Sequence, residues 1–87
     1  MFRLWGKIWK DNRMEKDTVY EEESDDTRTH KIFRGLDEIC HEFDLSQPIW
    51  LDSNIRDFQL HDKTRFTKDS FIESIDFDYL EFQVIEE

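Results

Sequence analysis

The chain has 87 residues, 22 acidic against 12 basic, for a formal charge of −10, with 37% hydrophobic and 39% charged residues. That length allows one ordinary domain, residues 1–87; no apolar run is long enough to span a membrane, and two Gly with one Pro exclude collagen-like or proline-rich behaviour. Aromatic residues reach 15%, including eight Phe and three Trp, which favours a folded domain with an aromatic core over disorder.

Residues 2–10 (FRLWGKIWK) alternate, with Phe2, Leu4, Gly6 and Ile8 on one side and Arg3, Trp5, Lys7 and Trp9 on the other. A period of two is the mark of a strand. Asp11-Asn12-Arg13 reads as a turn, and residues 14–22 as a weaker second strand completing a hairpin. Glu21–Asp26 reads as a charged, mobile connector.

The spacing of Ile32, Phe33, Leu36, Ile39, Cys40 and Phe43 predicts a helix over 28–43 with one apolar stripe, capped by Asp26 or Thr27. His30, Arg34, Asp37, Glu38 and His41 fall off the stripe. Gly35 inside this helix costs about 1 kcal/mol relative to Ala, and close backbone packing is a reason for it. After Pro48, Ile49-Trp50-Leu51 reads as a buried connector. A second helix is expected over 54–62, capped by Asp52 or Ser53, with Ile55 and Phe58 inward. Lys63–Phe66 reads as a turn or short strand, and a third short helix is expected over 68–75, with Thr67 as cap and Phe71, Ile72 and Ile75 inward. Residues 78–85 alternate again, with Leu80, Phe82 and Val84 on one side and Tyr79, Glu81, Gln83 and Ile85 on the other.

The expected fold is therefore α+β, in the order β-β-α-α-α-β, with a small, mostly antiparallel three-stranded sheet packed on one main helix. The first strand is basic and the last acidic, so they are expected side by side, giving the sheet order 2-1-3.

The charge is segregated. Residues 1–20 carry +2, 21–26 carry −5, 27–68 balance, and 69–87 carry −7. Such a chain is repelled by nucleic-acid phosphates and anionic membranes, so neither is expected as a direct partner. Cys40 is alone, so no intrachain disulfide forms, and the N-terminal residues lack the apolar core of a signal peptide. A reducing cytoplasm is the expected location.

The stretches DDTRTHKIF, PIWLDSNI, TRFTKDSFIESIDFDYLEFQVIEE and FRLWGKIWKDNRM resemble a group of short, acidic, uncharacterised proteins of clostridial-type bacteria, over most of the chain. The resemblance implies a cytoplasmic bacterial protein. It implies no activity, ligand or site residue.

The first candidate site is a sheet face. With helices on one side only, the other would carry Trp5, Trp9, Tyr79 and Ile85 mixed with Arg3, Lys7 and Glu81. Exposed aromatic groups in such numbers mark a contact surface, either for a second copy in a homodimer or for another protein. The bland alternatives are that the third helix or the 46–52 loop covers this face, or that the Trp rings lie idle over Lys and Arg stems. The Arg-x-Trp-x-Lys-x-Trp alternation also resembles a base-stacking platform, but the net charge opposes it. The second candidate is acidic. Glu21, Glu22, Glu23, Asp25 and Asp26, with Asp69, Glu73, Asp76, Asp78, Glu81, Glu86 and Glu87, would imitate a phosphate backbone and inhibit a basic nucleic-acid-binding protein. The bland alternative is that the acidity only keeps the protein in solution.

Chemistry has little purchase. His30, Cys40, His41 and His61 show no metal-ligand spacing, and adjacent helical residues point about 100° apart. Asp76-Phe77-Asp78 would align two carboxylates if extended, but the third ligand and Gly of a calcium loop are missing. No serine sits in a glycine-flanked elbow and no glycine-rich phosphate loop exists. The expectation is a protein with no catalytic residues and no cofactor.

Overall fold

The computed structural model describes residues 1–87. The chain runs β1 (Phe2–Lys10), β2 (Arg13–Glu22), α1 (Arg28–Glu42), α2 (Asp52–His61), β3 (Lys63–Phe66), a 3-10 turn (Lys68–Ser70) and β4 (Tyr79–Glu86). All strand pairs are antiparallel and the sheet order is β2-β1-β4-β3. The α+β class is as expected, and β1 lies between its hairpin partner and the last strand. The counts are corrected: Lys63–Phe66 is a fourth strand, added at the sheet edge, and the third helix does not form.

That failure has a local cause. Phe71, Ile72 and Ile75 imitate a helical stripe, but only Phe71 is buried; Ile72 is 86% exposed, and Ser70 points inward beside Phe71. Thr67 still caps, accepting from the Asp69 N–H at 3.4 Å, but only one 3-10 turn follows. Ser70 is drawn inward by the buried Asn54, to whose Oδ1 it donates at 3.3 Å. The Asn54 amide donates to Thr64 Oγ1 at 2.9 Å and to the Arg65 carbonyl at 3.0 Å, while its Oδ1 also accepts from the Leu51 N–H at 3.0 Å. One satisfied amide thus ties the start of α2, the middle of β3 and the 3-10 turn together.

The turns are made by Asp and Asn. Asp11, Asn12, Asp44 and Asp62 are the non-glycine residues with positive φ, from 53° to 64°. Asp11-Asn12 forms the two-residue hairpin turn whose twist suits β1 and β2, while Asp44 and Asp62 end α1 and α2. Both glycines serve packing instead. A Cβ on Gly6 would lie 2.5 Å from Ile39 Cγ2, and one on Gly35 would overlap Leu4 and lie 2.8 Å from Tyr20. So α1 presses against the hairpin at contacts that only hydrogen side chains allow, which is why Gly35 is kept within a helix.

Thr27 caps α1, its hydroxyl accepting from the His30 N–H at 3.2 Å. Leu51, rather than Asp52 or Ser53, is the cap position of α2. The core is Phe2, Leu4 and Ile8 of β1, Leu80 and Phe82 of β4, Phe66 of β3, Ile32, Leu36, Ile39 and Cys40 of α1, with Phe43, Phe58 and Phe71. Trp50 stands edge-on to Phe33, Phe58, Phe66 and Phe82 at 5.0–6.3 Å, a favoured aromatic geometry. Its neighbours Ile49 and Leu51 are 49% and 36% exposed, so the connector expected to be buried is half-buried, and only at the tryptophan. Ile55, expected inward, and Phe33 are also exposed; they rim an apolar groove of about 420 Å³ between α1 and α2. No helix is long and apolar enough to cross a membrane.

Candidate functional site: the open sheet face

Every buried side chain of α1 and α2 packs toward the face that carries Leu4, Ile8, Phe66, Leu80 and Phe82. Phe71 and Phe77 close the same side. The alternative, covering of this face by the 46–52 loop or by a third helix, does not occur: no third helix forms, and Trp50 packs on the helix side. Alternation places Arg3, Trp5, Lys7 and Trp9 of β1 on the opposite face, and strand register places their neighbours.

Four cross-sheet rows result. Glu21, Arg3 and Glu86 form the first; Val19, Trp5, Gln83 and Lys63 the second; Asp17, Lys7, Glu81 and Arg65 the third; Met14, Trp9 and Tyr79 the fourth. The register shift between Arg3 and Leu4 leaves Ile85 without a partner, so this expected member of the face stands outside the rows and is 42% exposed.

Glu81 is the hub. Lys7 Nζ lies 3.2 Å from Glu81 Oε1, the Trp9 indole N–H donates to the same oxygen at 3.2 Å, and Arg65 Nε lies 3.7 Å from Oε2. Burial alone would raise the Glu81 carboxyl, but the Lys7 hydrogen bond and charge, with Trp9 and Arg65, hold it below the usual carboxylate range. Lys7 also donates to Gln83 Oε1 at 3.2 Å and sits 3.7 Å from the Trp5 ring centroid. The Trp5 indole N–H donates to Asp17 Oδ2 at 2.8 Å. Trp9 and Tyr79 stack at 6.3 Å, and Arg65 lies 4.6 Å over the Tyr79 ring. Arg3 lies 2.9 Å from Glu21 and 3.1 Å from Glu86, although its Nε–H is aligned with neither.

Two expectations change here. Lys7 is 8% exposed, so it supports the face from beneath and does not present its charge outward. Met14, Val19, Asp17 and Arg65 belong to the face although alternation within single strands did not single them out. Setting the second strand opposite the first across the Asp11-Asn12 turn finds Met14 opposite Trp9, but the register shift between Ile8 and Trp9 moves the rest of β2 by one residue, and only that shift brings Asp17 and Val19 to this face.

The acidic candidates are scattered and mostly engaged. Glu22 is on the helix side, bound by Arg34 at 2.6 Å, by the Tyr20 hydroxyl at 2.6 Å, and by Ser24. Asp26 accepts from the Thr27 N–H at 2.8 Å and faces Arg34 at 3.1 Å and His30 at 3.0 Å. Arg34, then Ser24 and Tyr20, bring the Glu22 carboxyl down to about 2; His30, then Thr27 and Arg34, do the same for Asp26, also to about 2. These bonds fasten the supposedly mobile connector to α1. Asp78 accepts from the Asp11 N–H at 2.9 Å. Glu23, Asp25 and Asp76 make no ion pair.

No three His, Cys, Asp or Glu side chains converge on a common point. Cys40 is buried in the core, and desolvation, then Asp37, push its thiol up to about 12. Comparison with protein-family models, curated proteins and solved structures finds no match to this chain.

Proposed function

We propose that the protein is a non-catalytic protein-binding module whose docking surface is the open sheet face around Trp5 and Trp9. The observation that carries this reading is that every helix and the 67–78 segment lie on one side of a four-stranded sheet whose other side bears two Trp and a Tyr. Burying such rings against a partner removes large apolar area from water. The two indole N–H groups are already held by Asp17 and Glu81, so little freedom of the Trp side chains is left to lose on binding. A reducing cytoplasm suits the lone, core-buried thiol. The acidic-mimic alternative draws less support, because Glu21, Glu22, Asp26 and Asp78 are spent on internal bonds.

The double substitution Trp5→Ala and Trp9→Ala tests the reading, since both rings are only half-buried. It is expected to cost no more than about 2 kcal/mol of stability and to abolish self-association and the capture of partner proteins from host lysate. A folded variant with an unchanged binding profile, or one that simply unfolds, overturns the reading.

A further inference from the structure

The third cross-sheet row reads Asp17, Lys7, Glu81, Arg65 from β2 to β3: acid, base, acid, base, each residue paired in register with the next. Reversed, that row becomes base, acid, base, acid. It is therefore complementary to itself when turned end for end.

Resting on the reading of the open face as a docking surface, we propose that its occupant is a second copy of this chain. The two sheets meet face to face, related by a two-fold axis that runs parallel to the strands between β1 and β4. This rotation sends β2 of one copy over β3 of the other and keeps each row at its own level. Asp17 then faces the partner's Arg65, while the buried Lys7–Glu81 pair lies beneath the rings opposite its own copy. In the fourth row Trp9 meets the partner's Tyr79, and in the first Arg3 meets the partner's Glu86. The alternative two-fold axis, perpendicular to the strands, stacks β2 on β2 and β3 on β3. Centred on the face, it sets Lys63 against the partner's Arg65 along one edge, which is repulsive, and leaves Asp17 and Glu21 against Val19 and Met14 along the other, with no opposite charge to meet. The charge pattern thus selects one of the two symmetric packings. An isologous contact of this kind closes at two copies.

The size of the face sets the strength. Four strands about 4.8 Å apart, over the length from Arg3 to Trp9 at about 3.3 Å per residue, present roughly 400 Å² to a partner. Two such faces bury about 800 Å² or somewhat more, in the small, transient class of interface. The dimer is expected to form and dissociate with concentration.

Sedimentation equilibrium on the full chain, from about 10 µM to about 1 mM, spans the range an interface of this size would show. The wild type is expected to move from monomer to dimer across it. Asp17→Lys alone and Arg65→Glu alone should each remain monomeric, because each sets like charges opposite one another. Mixing the two variants should restore dimers, since the introduced lysine of one copy then meets the introduced glutamate of the other. Circular dichroism checks that each is folded. Should either fail that check, Val19→Lys and Val19→Glu replace them: in the second row position 19 faces the partner's Lys63, so the Lys variant should dimerise at least about fivefold more weakly than the Glu variant. A wild type that stays monomeric throughout overturns the second copy as occupant, leaving the docking face itself to be judged by the Trp5/Trp9 variant. A dimer indifferent to these charges, or singles whose mixture does not pair, overturns the proposed axis.

Discussion

On the helix side of the sheet, Leu4, Ile8, Leu80 and Phe82 are at most 1% exposed, and order comes from contact: two glycines let α1 press onto the hairpin. On the open side, Trp5, Trp9 and Tyr79 are only half-buried, and order comes from tethers: each indole N–H is bound to a carboxylate, and Lys7 fills the space beneath. The same strand, β1, carries both arrangements on alternate residues. A side chain can be held in one place either by close packing or by hydrogen bonds to neighbours, and only the second leaves its apolar surface available to something else.

The sharpest way to test that contrast is to damage each side in turn. Phe82→Ala removes a fully buried ring from the Trp50 cluster and is expected to cost about 3–5 kcal/mol in urea unfolding. Against the roughly 5–15 kcal/mol typical of a domain, that loss would remove a large share of the stability. A cost under about 1 kcal/mol would show that the core closes around the gap.

On the open side, Glu81→Leu strands Lys7 and the Trp9 indole N–H beneath the rings. The expected loss is about 3 kcal/mol, and adding Lys7→Met should recover most of it, because a buried pair replaced whole leaves no unpaired charge. If the single substitution is harmless, the rings are not held by this hub.

The smallest effect concerns acid, and acts mainly at the edge between β2 and α1, with Glu81 of the open face adding to it. Glu22, Asp26 and Glu81 all have carboxyls lowered in the folded state, so the folded protein binds fewer protons than the unfolded chain across the acid range. The contribution of Glu22 and Asp26 is complete above the ordinary carboxylate values near 4.5 and 3.8 and is lost as pH falls toward about 2; that of Glu81 is lost in the same direction. The melting temperature should therefore drop between about pH 4.5 and pH 2. Arg34→Met, which removes the cation shared by Glu22 and Asp26, should lower the neutral-pH value slightly and flatten the drop. An unchanged acid profile in that variant would show that these surface bonds carry no stability.

What could be read without coordinates follows the same division. β1, β4 and the stripe of α1 announce themselves because alternation and helical spacing repeat over eight or more residues. β3 offers only Thr64 and Phe66 as inward residues, too few for a period, and its place is fixed by Asn54 instead. That amide is also what sequence spacing cannot reveal in the 68–75 segment: Phe71, Ile72 and Ile75 fit a helix, but the bond from Ser70 to Asn54 sets the chain's direction and turns Ile72 out to solvent. The aromatic half of the open face was legible from β1 and β4 alone. Its alternating row was not, because Asp17 and Arg65 lie on different strands and meet Lys7 and Glu81 only once the register is known.

The core thiol gives this protein a built-in clock. Cys40 sits 1% exposed on the inner stripe of α1 and is protonated at every ordinary pH, so in the folded state it has neither access to a thiol reagent nor the thiolate needed to react. Modification must wait until α1 lifts from the sheet. With reagent fast enough to outpace reclosing, the labelling rate of unaltered protein counts those openings; with slower reagent it gives the open fraction, and one cysteine reports the breathing of the core with no probe added.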